Sequence, residues 1–196
     1  MTFISPGLSF DISDDVRNIR SSVIVCNHVS YLDPILLISL FEKQKTIIRG
    51  SFFSVPIFGS VLKISGYIPS YTEGKLGLIM IKQITRMEEY LASGGNLFIF
   101  PEGTRSRDGK IGRFDKGAFK IAKQCGAPIR VLMIRNTNRF FRPGKFLFNT
   151  CVPITIKIRK IADITPDYQS RGGIFSAPIN GLMAQVHRLM RVNVEE

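Results

Sequence analysis

The sequence predicts an α/β protein: a single layered domain whose central, largely parallel sheet is flanked by helices. Three observations predict it. Short β-type apolar runs alternate along the chain with stretches of helical periodicity. The length, 196 residues, suits one domain that can bury a substantial core. The composition, 44% hydrophobic and 21% charged, excludes a disordered chain and a multi-span membrane protein. One domain is therefore expected over residues 1–196, with no internal repeat or low-complexity tract.

The elements follow in order. Ser22–Cys26, rich in Val and Ile, reads as a buried strand. Asp33-Pro34 then opens a helix that runs to about Glu42, with Asp33 as N-cap and Pro34 at the first helical position. Thr46–Arg49 is a second short strand, and Val55–Ile64 reads as helical. Lys75–Leu91 is the clearest amphipathic helix: Leu76, Met80, Ile84, Met87 and Leu91 recur at helical spacing, and Gly94-Gly95 stops it. Asn96–Phe100 is an apolar strand ended by Pro101, and Lys116–Cys125 a short helix. Ile129–Ile134 is a strand, while Lys145–Phe148 and Ile154–Ile158 are candidates to pair as two more. Ile174–Val192 closes the chain as an amphipathic helix, with His187 expected on its solvent side. In such sheets chemistry gathers in the loops beyond the carboxyl ends of strands. The loops after Ser22–Cys26 and after Asn96–Phe100 fit that description.

Cys26, Cys125 and Cys151 are odd in number and far apart, no CxxC occurs, and the histidines are His28 and His187. A Cys/His zinc site and a disulfide framework are both disfavoured, and a reducing compartment fits. Met1–Asp15 has no basic segment followed by an apolar run, so no signal peptide is expected. Only 26 residues precede Asn27, leaving little room for an N-terminal membrane helix. Gly50–Thr72 carries a single charge, Lys63, but Pro56, Gly59, Gly66 and Pro69 interrupt it. It reads as short buried or interfacial elements rather than a membrane span.

Charge is lopsided. Lys and Arg number 27 against 15 Asp and Glu, giving +12. Between Pro101 and Lys145 there are 12 cations and 3 carboxylates, net +9. A negatively charged partner is implied: nucleic acid, a phosphate-bearing metabolite, an acidic carrier or an anionic membrane.

The first strand-end loop reads Asn27-His28-Val29-Ser30-Tyr31-Leu32-Asp33. A histidine whose ring is held by a carboxylate is a general-base arrangement, provided the chain folds back across the five-residue gap. Asp33 reads equally as a helix cap and His28 as a hydrogen-bonded loop histidine; spacing alone leaves these open. The second loop, Phe100-Pro101-Glu102-Gly103-Thr104-Arg105-Ser106, offers a glycine, a guanidinium and two hydroxyls, which suit an anion cradle or an ordinary surface turn. It is not a Walker loop, since no GxxxxGK[ST] occurs.

Together the two loops resemble those of the glycerolipid acyltransferases, in particular the 1-acylglycerol-3-phosphate acyltransferase type. Arg49 with Val55-Pro56-Ile57-Phe58-Gly59 and Gly66-Tyr67-Ile68-Pro69, then Phe114-Asp115-Lys116-Gly117-Ala118 and Ala127-Pro128-Ile129, extend the resemblance over roughly residues 20 to 160. Two departures concern the acceptor: Thr72 stands near the place of a family arginine, and Val131 stands for a second proline.

The resemblance implies acyl transfer from an acyl-CoA or acyl-carrier-protein thioester to the hydroxyl of lysophosphatidic acid, with another lyso-lipid as the alternative acceptor. His28 would be the base and Asp33 its orienting partner. Glu102, Gly103, Thr104, Arg105 and Arg49 would hold the acceptor's phosphate end, Glu102 acting by a salt bridge to Arg105 or another cation. A covalent acyl-serine at Ser30 is disfavoured, because no GxSxG elbow surrounds it. No metal or cofactor is expected. Attachment would be peripheral or through the interfacial Gly50–Thr72 region, at the cytoplasmic face of an anionic membrane, and Arg139–Phe146 interleaves cations with aromatics in a way that suits either an interface or an inward-packed hairpin. The rivals are a non-catalytic lipid-binding relative and a nucleic-acid-binding module, the latter lacking any recognisable motif.

Overall fold

A computed structural model of the chain describes residues 7–54, 56, 60, 63–64, 67–70, 86–141, 148–168 and 179–195. Seven strands form one sheet: β1 (Leu8–Ile12), β2 (Val23–Cys26), β3 (Gln44–Arg49), β4 (Ile68–Ser70), β5 (Asn96–Ile99), β6 (Ile129–Arg135) and β7 (Ile154–Ile164). Their spatial order is β1-β7-β6-β2-β5-β3-β4. Every neighbouring pair is parallel except β6–β7.

Side-chain alternation sends β2 into two cores at once. Val23 and Val25 face one layer, with Leu97, Ile129 and Val131 beside them. The helices covering that layer are α3 (residues 86–92), α4 (Gly117–Gln124) and α6 (Ile179–Glu195), through Met87, Phe119 and Val186. Ile24 and Cys26 face the other layer, with Phe98, Leu132 and Ile134. There α1 (Asp14–Arg17), α2 (Leu32–Leu40) and α5 (Thr137–Phe140) supply Val16, Leu37 and Phe140. A strand buried on both faces needs a continuous apolar run, which is what Val-Ile-Val-Cys provides.

β7 serves both layers by means of a bulge. Ile154, Ile156 and Ile158 alternate into the α2 layer. Val131 pairs with Ala162 and Leu132 with Lys160, so Ile161 is one residue too many. Beyond it, Ala162 and Ile164 point into the α6 layer, opposite Val131 and Ile129.

Two buried asparagines fasten the ends of β2. Asn96 donates to the Ile19 carbonyl at 2.8 Å and accepts the Ser22 N–H at 3.3 Å. Asn27 does the same work at the other end, described below. After α3, Gly94 adopts φ +89°, a conformation that only glycine takes without strain, and the Gly95 N–H closes back on the Tyr90 carbonyl at 3.0 Å.

The layered, largely parallel α/β architecture is as the sequence predicts. Several details differ. β1 has no counterpart among the expected strands. β7 runs to Ile164, six residues beyond the expected end, and pairs with β1 and β6. Phe148 is not in a strand, and residues 145–147 of the expected partner strand lie outside the described residues. The same holds for most of Val55–Ile64, for Lys75–Thr85, and for 174–178 of the last helix. No helix among the described residues is long and apolar enough to cross a membrane.

Candidate active site

β2, β5 and β6 lie side by side and end on the same edge of the sheet. Their loops meet there, and the site is built from them.

Asn27 starts the first loop, buried to 2%. Its Nδ2 donates to the Ile134 carbonyl at 2.9 Å and its Oδ1 accepts the Ile134 N–H at 2.7 Å. The amide thus imitates one more rung of the β2–β6 ladder with a side chain. The backbone is released from the sheet one residue early, and His28 turns out of it.

Four contacts hold His28. Its ring lies on Phe100, centroids 4.3 Å apart. Its backbone N–H donates to Glu102 Oε1 at 3.1 Å, and its carbonyl accepts the Ser106 N–H at 2.7 Å. Its Nδ1 meets Asp33 Oδ2 at 3.0 Å. Asp33 Oδ2 also accepts the N–H groups of Val29 and Ser30, each at 2.7 Å. With those donors on the same oxygen, the shared proton belongs to Nδ1. Nε2 is left with a lone pair and no hydrogen bond among the described residues. The ring is 14% exposed, enough for a substrate hydroxyl to reach it.

Asp33 is fully buried and not the cap of α2. Tyr31 occupies that position, already in a helical conformation, and Asp33 and Pro34 follow within the first turn. The carboxylate therefore reaches back four residues rather than forward. Its second oxygen accepts a 2.6 Å bond from Thr137 Oγ1, also fully buried, at the start of α5. Sequence reasoning missed Thr137. The signal was its place just past the carboxyl end of β6, the third strand of the group.

The second loop differs from expectation in how Glu102 is used. Instead of pairing with Arg105, the carboxylate bridges two backbone amides, His28 at 3.1 Å and Gly112 at 2.9 Å. Burial raises its pKa from the ordinary value, opposed by those two N–H donors. Gly103 turns the chain at φ +64°, and it and Thr104 are exposed. Arg105 lies over the ring of Tyr31, 4.1 Å from its centroid. Tyr31 was not singled out from sequence; it is 60% exposed and leads to Phe141 and Phe148 in an aromatic row. Arg49 ends β3, and its side chain lies outside the described residues, as does Thr72.

Ser30, the nucleophile disfavoured from sequence, and the neighbouring Cys26 thiol are both unsuited to attack. Ser30 is fully buried, with its Oγ accepting the Leu32 N–H at 3.3 Å. Burial, then the charges of Asp33 and Glu102, push the Cys26 thiol well above its ordinary pKa. Among the described residues no three His, Cys, Asp or Glu side chains assemble as a metal-ligand set. The departure at Val131 falls in the sheet interior, packed with Val23 and Val25 rather than at the loop edge. His187 lies at the surface of α6 as expected but is half-buried there: it bonds the Gly112 carbonyl at 3.1 Å and meets Phe114 edge-on.

Residues 8–135 match the acyltransferase family, and the chain belongs to that family. It is similar to the chloroplastic 1-acyl-sn-glycerol-3-phosphate acyltransferase BAT2 of Brassica napus, with 34% identity over 66% of this chain and 38% of the relative. LPAT1 of Arabidopsis thaliana, a chloroplastic enzyme of the same name, is 33% identical over 67% of this chain and 37% of its own length. This chain thus spans under two fifths of the length of those two relatives. The crystal structure of the 1-acyl-sn-glycerophosphate acyltransferase PlsC from Thermotoga maritima shares the fold, with a TM-score of 0.67 at 21% identity, covering 95% of this chain and 71% of that one.

Proposed function

We propose that this chain moves a fatty acyl group from a thioester to the free hydroxyl of 1-acylglycerol 3-phosphate, giving phosphatidic acid. The observation that carries the reading is the His28–Asp33 pair with Nε2 open, joined through Glu102 and Ser106 to the loop bearing Arg105. The names of the relatives supply the acceptor class.

A thioester is already activated, so the protein's task is to make the alcohol nucleophilic and to hold charge. Nε2 takes the acceptor's hydroxyl proton as its oxygen attacks the thioester carbonyl. Asp33 fixes the tautomer and stabilises the imidazolium, help worth about 10²–10⁴-fold. The C–S bond then breaks, and the departing thiolate takes the proton from Nε2 to leave as a free thiol. Arg105, held by Tyr31 at the loop's outer side, binds the acceptor phosphate with Gly103 and Thr104. Glu102 positions the His28 backbone and does not touch phosphate. No cofactor enters this scheme.

The acceptor lies in a bilayer, and the reading places the protein peripherally on an anionic one, at its cytoplasmic face. Tyr31, Ile35 and Ile38 project from one side of α2, 60%, 59% and 37% exposed, next to Arg105. Such an apolar face, with the Arg105 guanidinium over Tyr31 at its edge, suits the headgroup region.

The test is thiol release from long-chain acyl-CoA with and without lysophosphatidic acid, for wild type and His28→Ala, with the lipid product identified by mass spectrometry. Acceptor-dependent release that His28→Ala abolishes is expected. Turnover only with a different lyso-lipid would retain the chemistry and replace the acceptor.

A further inference from the structure

Away from His28, α6 and the loop 111–116 enclose a groove of about 860 Å³. Arg113 and Lys116 line it from the loop, Arg188 and Arg191 from the helix, over an apolar floor that includes Met183. Among the described residues no carboxylate lines it. None of the four cations has an ion-pair partner among the described residues, although other cations of this protein do, as Arg130 and Lys160 with Asp163. Like charges gathered around one hollow without counter-charge repel one another, and an anion relieves them. The volume is that of a small-molecule site.

The groove is tied to the reacting ring. His187, in its wall, bonds the Gly112 carbonyl; the Gly112 N–H bonds Glu102; Glu102 bonds the His28 N–H. A ligand there sits on the far side of the loop that positions the base.

We propose that this groove binds the nucleotide phosphates of a coenzyme A thioester. The inference rests on the acyl-transfer reading above. The acceptor's phosphate is only a few bonds from its reacting hydroxyl and must lie against His28 itself, so it cannot occupy a groove beyond the Glu102 loop. A coenzyme A thioester has the required shape: several phosphates and a flat adenine at one end, the reacting carbonyl at the other, and a long thin arm between. Four cations answer the phosphates and the apolar floor answers the ring. The cations line a concavity, which suits a small anionic group better than the convex surface of an acidic carrier protein.

Coenzyme A is titrated calorimetrically into the full chain, using wild type, Arg188→Ser/Arg191→Ser, Arg113→Ser/Lys116→Ser and His28→Ala. All four cations are exposed, so neither double variant opens the core. Each double variant is expected to weaken coenzyme A about tenfold or more and to flatten its salt dependence, while His28→Ala binds as wild type does. In turnover, each raises the KM for acyl-CoA and leaves the rate with acyl-pantetheine, which lacks the nucleotide, unchanged. Unaltered coenzyme A affinity in either double variant overturns the proposal. So does an effect confined to an acyl carrier protein or to anionic vesicles. If the wild type transfers no acyl group, the acyl-transfer reading fails separately, and the calorimetry still decides the groove: weakened binding in the double variants supports it, and undetectable binding to wild type overturns it.

Discussion

Thr137 Oγ1 donates a 2.6 Å hydrogen bond to Asp33 Oδ1 across 104 residues of sequence, and both side chains are fully buried. The bond fixes the carboxylate on the side opposite His28, so Asp33 cannot rotate without leaving a buried oxygen unpaired. Thr137→Val keeps the shape and removes the donor. It is expected to cost about 1–3 kcal/mol of stability and to lower kcat about tenfold with KM little changed, and Thr137→Ser should recover most of both. Urea unfolding alongside steady-state kinetics checks this; equal losses for Val and Ser would show a packing role instead.

Asn27 is held by two bonds to one residue of a neighbouring strand. Asn27→Asp retains the acceptor for the Ile134 N–H but sets a second acceptor against the Ile134 carbonyl. A loss of roughly 2–3 kcal/mol in urea unfolding is expected, larger than for Asn27→Ala if the repulsion dominates over the missing bonds.

Glu102 makes a pH-dependent contribution whose sign is fixed. Burial raises its folded pKa above the ordinary value of 4.5. The folded chain therefore holds this proton more tightly than the unfolded one. The associated stability is fully present below 4.5 and is lost as pH rises through the raised folded value. Glu102→Gln removes that slope, so the difference in unfolding free energy between wild type and variant should change across this window and flatten above it. At neutral pH the amide also fails to accept both backbone N–H groups, and kcat should fall.

The outer side of α2 is separable from the fold. Ile35 and Ile38 are exposed, so Ile35→Asp/Ile38→Asp should leave the thermal midpoint nearly unchanged. Sedimentation with anionic vesicles should nonetheless fall several-fold. Retained sedimentation would assign membrane contact to another face.

The sequence made the local features legible and left the long-range ones hidden. Val23–Cys26, Asn96–Ile99 and Ile129–Arg135 are apolar runs short enough to be strands, and the loops after the first two carry chemically unusual residues. β1 escaped because its edge position leaves Phe10 40% exposed and Ser9 and Asp11 polar, so its alternation is weak. Thr137 escaped because a threonine after a strand is ordinary until tertiary packing buries it against a carboxylate. Glu102 was assigned a cation partner, the usual one for a carboxylate beside an arginine; its actual partners are backbone amides, which no side-chain pattern encodes. Helical spacing places His187 off the apolar stripe, at the surface, but could not show that the 111–114 loop packs against it there.

The pairing of β1 with β7 has a consequence for synthesis. Leu8 aligns with Ile154 and Ile12 with Ile158, and among the described residues β7 is the only strand that β1 pairs with. On the ribosome β1 emerges well over a hundred residues before its partner β7 and waits while they are made. During that interval β6 is likewise an open edge, its backbone N–H and C=O groups unpaired on the side that β7 will cover. Nascent chains should therefore need shielding until β7 emerges, and the open edges of β1 and β6 should close together at that point rather than stepwise.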